Sequence, residues 1–197
     1  MVHPEGHTLY VHASLDRRLS AWDIRAHGAP PVPLWSVSTV ASEPLPSEHL
    51  LGKRIFHDSF DTRIAQDGYL SCASCHPDGR DDGLTWDFTD RGEGLRNTTS
   101  LEGRAGTAMG PLHWTGNFDE IQDFENDMRH GFGGTGFLDE ADWAAAGTTL
   151  GPPKAGRSAE LDALAAWVGS LDRTPRSPHP AQAGDEAVFL AAGCADC

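Results

Sequence analysis

The chain has 197 residues, with 29 Asp and Glu against 15 Lys and Arg and a formal net charge of −14, which argues against a nucleic-acid partner. Its hydrophobic content of 39%, with 22 glycines and 13 prolines, describes a loop-rich globule, and the length allows one ordinary domain plus flanking pieces. No run approaches the roughly 18 apolar residues of a membrane helix, so no membrane span is expected.

In chain order, Met1 to His7 has neither the basic nor the apolar region of a signal peptide, so the chain reads as cut from something longer with its export signal upstream. Thr8 to His12 and Leu19 to Ile24 alternate apolar and polar residues around Ser14-Leu15-Asp16-Arg17, which predicts a β-hairpin within residues 1–27. Residues 28–46 are rich in proline and small side chains without periodicity and read as a linker. An amphipathic helix over Ser47 to Asp58 presents Leu51, Ile55 and Phe56. Pro77 to Gly83 is turn chemistry throughout. A further helix is predicted over Asp119 to Arg129, with an Asp119–Gln122 capping box and a stripe of Ile121, Phe124 and Met128. Another spans Ser158 to Leu171, and a last one begins near Asp185 and runs towards Cys194. The expected fold class is all-α: a helical domain over 47–178 with a short N-terminal β-hairpin, and the start of a second, truncated domain over 179–197.

The chemistry concentrates in Cys72-Ala73-Ser74-Cys75-His76. Two thiols three residues apart with an imidazole directly after the second are what covalent haem attachment requires. The cysteines form thioethers to the vinyl groups, the histidine is the proximal iron ligand, and Cys72 and His76 fall on one face of a helical turn. The rivals are half a zinc site and a thioredoxin-like pair. The other C-x-x-C, Cys194 to Cys197, lies far beyond zinc-ribbon spacing, and no βαβ setting surrounds Cys72. Haem c is therefore the expected cofactor, and its attachment implies a periplasmic or other extracytoplasmic bacterial location. A weak repeat relates Gly52 to Phe56 before Cys72 with Gly184 to Phe189 before Cys194. Cys194 and Cys197 thus read as a second attachment site that stops one residue short of its histidine.

Three motifs in order carry a resemblance: Gly52-Lys53-Arg54-Ile55-Phe56-His57-Asp58, Leu70-Ser71-Cys72-Ala73-Ser74-Cys75-His76, and Arg96-Asn97-Thr98-Thr99-Ser100-Leu101. Together they resemble the bacterial di-haem cytochrome c peroxidase family over residues 48–197, with Thr99 where that family usually has proline. Leu112 to Asn117 is similar to the stretch that brings that family's chain to the distal face of the haem. The N-terminal hairpin resembles the last strands of a YVTN-type β-propeller blade through Leu9, Tyr10, Val11, Trp22, Asp23 and Ile24.

The resemblance implies Met128 as distal ligand, at the family's spacing after Gly116; as a residue of an apolar stripe, Met128 also reads as plain core. His113 offers a bis-histidine alternative, or a histidine bonded to its own loop, and Met109 is a third candidate. Asp123 aligns near the family's distal acid, the weak catalytic candidate, and otherwise reads as a solvated helix residue. Two functions follow as expectations. One is an electron-transfer module with one covalent haem and a redox partner protein; the other is part of a di-haem peroxidase or oxidase whose catalytic haem lies in a missing C-terminal half.

Overall fold

The computed structural model describes residues 1–103, 111–172 and 178–196. Met109 and Cys197 lie outside the described residues. The expectation of an all-α chain is overturned: the fold is mixed, with 31% helix, 17% strand and two antiparallel sheets.

The first sheet is three-stranded, in the order β1 (Thr8–Ala13), β2 (Arg18–Asp23), β3 (Val32–Ser38). The predicted hairpin is β1 and β2, paired from Thr8 opposite Asp23 to Ala13 opposite Arg18. The third strand falls inside the stretch read as a linker. It is an edge strand exposed along its whole length, so Pro33 sacrifices no buried ladder bond and no burial-driven alternation marks it in sequence.

Beyond the sheet, α1 (Ser47–His57) packs on α5 (Ala159–Gly169). The two helices approach so closely that a Cβ on Gly52 would stand 1.9 Å from the Ala163 carbonyl oxygen, which excludes every other residue there. Phe56 meets Trp167 with ring centroids 4.5 Å apart, and Ile55, Leu161, Leu164 and Val168 complete this side of the core. Ser158 caps α5 by accepting from the Leu161 N–H at 3.3 Å.

The second sheet was not foreseen. Strands β4 (Thr85–Phe88) and β5 (Gly94–Asn97) pair antiparallel, with Trp86 opposite Arg96. Each is four residues long and alternates exposed with half-buried positions, and Asp, Gly and Arg dilute any strand signature.

The helix expected over Asp119 to Arg129 is one helical path of three pitches. A 3-10 turn at Ile121–Asp123 leads into α3 (Phe124–Asn126) and then a π turn at Asp127–Gly131. The Asp119–Gln122 capping box does not form: Gln122 Nε2 donates instead to Asp162 Oδ1 at 2.9 Å, across to α5. Helix α4 (Glu140–Ala146), missed in the sequence, is capped by Asp139 accepting from the Ala141 and Asp142 N–H groups. The last helix, α6 (Asp185–Ala191), leaves Val188, Phe189 and Leu190 exposed. Among the described residues no helix is long and apolar enough to cross a membrane.

Candidate functional site

Cys72 and Cys75 open and close a one-turn helix, α2 (Cys72–Cys75). The turn is fixed locally: the Ser71 N–H donates to Ser74 Oγ at 3.1 Å, and the His76 N–H closes on the Cys72 carbonyl at 2.9 Å. The chain then leaves through Pro77-Asp78-Gly79, with Asp78 (φ 51°) and Gly79 (φ 83°) both in the left-handed region. A Cβ on Gly79 would meet Leu171 Cδ1 at 2.6 Å, so this turn is pressed against the end of the α5 segment.

Ser71, Cys72, Cys75 and His76 line a cavity of about 760 Å³. The volume lies in the upper part of the ~300–1,000 Å³ range of sites that enclose small molecules and cofactors. Its walls are mostly apolar and bring together distant helices: Phe56 from α1, Leu164 and Val168 from α5, Ile121, Phe124 and Met128 from the three-pitch helix. Trp86 and Arg96 come from the second sheet. The loop of residues 113–117 is pinched shut by pairing of Leu112 with Phe118 and tied to β5 by the Trp114 indole, which donates to the Asn97 carbonyl at 2.9 Å. Cys72, Cys75, His76, His113 and Met128 therefore meet on one cavity, although they are spread over more than fifty positions.

Each group has a distinct environment. Burial pushes the Cys72 thiol up to about 12 and raises that of Cys75, so neither resembles the depressed thiols of redox pairs or metal thiolates. Burial pulls the His76 pKa below its ordinary value, against the opposing pull of the Thr99 and Arg80 backbone and of Asp82. The neutral imidazole is the form that binds metals. His76 Nδ1 is also buried without a hydrogen-bond partner, an orphan of the kind that a group from outside the chain satisfies.

The distal candidates differ in how far the protein already uses them. His113 sits at φ 67°, with Nδ1 2.9 Å from Asn117 Oδ1 and Nε2 3.6 Å from Asp127 Oδ2. Its ring lies 4.1 Å from that of Phe118 and edge-on to Phe124 at 4.8 Å. Both ring nitrogens thus face polar side chains of the protein. Met128 is 3% exposed, lines the cavity and belongs to the apolar core, so both of its readings describe the same place. It sits in the π turn, a geometry that often marks functional positions in helices.

Asp123 is neither solvated nor part of the cavity lining. It is 1% exposed and pairs with the fully buried Lys154 ammonium at 2.5 Å, while accepting from the Asp119 N–H at 3.0 Å. One residue pair along the same helix, Glu125 is 0% exposed and accepts from Arg129 Nε at 2.8 Å and from the Phe137 and Leu138 N–H groups. Neither network was read from the sequence. Their partners are distant positions whose pairing depends on the loops between them, with no motif to announce it.

Cys194 is exposed, on the segment after α6, and is no part of this cavity. Among the described residues no cluster of three or more His, Cys, Asp or Glu could hold a metal ion. Comparison with family models, with curated proteins and with solved structures found no match to this chain.

The residues present fit a haem on four counts. The cavity has cofactor dimensions, its lining is apolar, the two thiols are protonated and half-buried at its wall, and a neutral imidazole keeps an unpartnered nitrogen. Iron in a porphyrin needs only an axial side chain or two from the protein, since the macrocycle supplies the other ligands, so a protein-only cluster of three donors is not required.

Proposed function

We propose that this chain is a c-type cytochrome module that carries one haem on Cys72 and Cys75 and passes electrons to and from a redox partner protein, after maturation outside the cytoplasm. The observation that carries this reading is the apolar cavity on which the C-x-x-C-H turn and Met128 converge. Haem bound there would supply a reversible one-electron couple. Cys72 and Cys75 would hold it covalently, and His76 would be the proximal ligand.

Met128 is the distal ligand in this reading. Its thioether reaches the cavity from a tightly packed helix, whereas His113 would have to give up Asn117 and Asp127 to turn to a metal. A histidine and methionine pair raises the potential and fills the coordination sphere, which suits electron transfer. Phe56, Ile121, Phe124, Leu164 and Val168 would keep water from the cofactor, further favouring the less charged state. The net charge of −14 fits a basic partner surface.

The test is optical. In the haem-loaded protein, Met128→Ala should abolish the weak sulfur-to-iron band at the red end of the oxidised spectrum and lower the potential, while His113→Ala leaves the band in place. Loss of the band's equivalent ligand-field signature only in His113→Ala would assign His113 instead.

A further inference from the structure

The cavity carries one polar feature that the electron-transfer reading does not use. Arg96 lines it from β5, and Arg96 Nε is buried with no hydrogen-bond partner. The rest of the guanidinium is only partly occupied: Nη1 donates to the Leu95 carbonyl at 2.9 Å. The nearest carboxylate to Nε is Glu93, whose Oε2 stands 3.8 Å away, beyond hydrogen-bond reach. The other Glu93 oxygen accepts from Thr115 Oγ1 at 2.9 Å, which holds that carboxylate where it is. The Arg96 side chain as a whole is 32% exposed, so it is the Nε–H donor, buried without an acceptor among the described residues, whose desolvation goes uncompensated.

The charges around the cavity sharpen the point. Among the described residues its lining holds the carboxylates of Asp90, Glu93 and Asp127, and Arg96 is the one Arg or Lys there. A ligand that brought carboxylates of its own into this site, in a chain of net charge −14, would meet Arg96 as the one Arg or Lys among the described lining residues. The planar fork of an arginine matches a carboxylate bidentately.

We propose that Arg96 is the anion clamp of this cavity, binding a propionate carboxylate of the porphyrin through its free guanidinium N–H groups. This rests on the haem reading and adds to it the residue that fixes the cofactor's polar edge, as Cys72 and Cys75 fix its vinyl edge. Strand β4 braces the clamp. Trp86 stands opposite Arg96 in the ladder and is itself anchored by its indole donating to Asp82 Oδ2 at 2.9 Å.

The experiment uses the full chain matured with haem, as wild type, Arg96→Gln and Arg96→Lys. Covalent loading is read by mass, the propionate bending mode by resonance Raman, and the midpoint potential by spectroelectrochemistry. Arg96→Gln should shift the propionate mode and lower the potential, because a positive charge next to the cofactor disfavours the oxidised, more positive iron. Arg96→Lys should recover much of the potential, which depends on charge, but not the Raman mode, which depends on the bidentate fork. If Arg96→Gln does not accumulate in loaded form, the Raman mode of Arg96→Lys is decisive by itself. A loaded variant whose propionate mode matches wild type overturns the clamp and leaves the haem reading intact. A wild-type chain that carries no covalent haem overturns both.

Discussion

Two regions flank the helical path from Ile121 to Gly131, and both bury polar groups. On one side Asp123 meets Lys154, and Glu125 meets Arg129 and two backbone N–H groups, so each buried charge has a partner inside the chain. On the other side lies the cavity, where His76 Nδ1 and Arg96 Nε are buried and have none. The fold that pairs these buried charges leaves His76 Nδ1 and Arg96 Nε unmet at the cavity, while on the helical path itself the uncharged Asn126 Oδ1 also lacks a partner among the described residues. The first region is internal scaffolding; the second is where, on the function proposed above, a group that the polypeptide does not supply would sit.

The largest expected effect separates a cavity thiol from a surface thiol. Burial pushes the Cys72 thiol well above an ordinary thiol, so its reactive thiolate fraction at pH 8 is much lower. Iodoacetamide at pH 8 should therefore modify exposed Cys194 of the haem-free chain long before Cys72, as read by peptide mass against time. Equal rates would mean that the cavity wall does not shield Cys72.

Next comes the paired region. Lys154→Met leaves Asp123 as an uncompensated buried carboxylate and should cost about 3–5 kcal/mol of stability, measured from urea midpoints. Adding Asp123→Leu should recover most of that loss, because an apolar pair of similar volume replaces the ion pair. Recovery separates scaffolding from function: if the double variant folds but loses haem ligation or the spectrum, the Asp123 region belongs to the site after all.

A smaller effect tests Met128 in its two capacities. Met128→Leu keeps volume and should cost less than about 1.5 kcal/mol, since such swaps are well tolerated in cores. The oxidised spectrum of the loaded protein should nevertheless change. A residue that was core alone would alter neither band nor potential.

The smallest concerns pH. Burial lowers the His76 pKa, so the folded chain binds that proton less readily than the unfolded chain, whose value is the ordinary 6.5. Stability of the haem-free protein is then unaffected by this group above about pH 6.5 and declines as the pH falls from there towards the folded-state pKa. His76→Gln should flatten the urea-midpoint profile in that window relative to wild type.

Legibility in the sequence followed the range of the interactions. The C-x-x-C-H turn was readable because its five residues act within one helical turn, and α1, α5 and α6 were readable from periodicity and caps. The strand β3 was not, because an exposed edge strand has neither burial-driven alternation nor any intolerance of Pro33. Arg96 was noticed as part of a motif, yet its place on the cavity follows from the pairing of β4 with β5, which four-residue strands do not advertise. Asp123 aligns in sequence near the distal acid of the resembled family. Only the fold shows Lys154, 31 positions away, reaching it through the loop before α5.

The proposed function stands or falls on covalent attachment of haem to one turn of helix. The direct measurement is denaturing mass spectrometry of the chain expressed in a periplasm with haem-ligation machinery, followed by mapping of the peptide that holds Cys72, Cys75 and His76. One haem, retained under denaturation, is expected on that peptide. A chain of unmodified mass, or haem found elsewhere with Cys72 and Cys75 as free thiols, would contradict it.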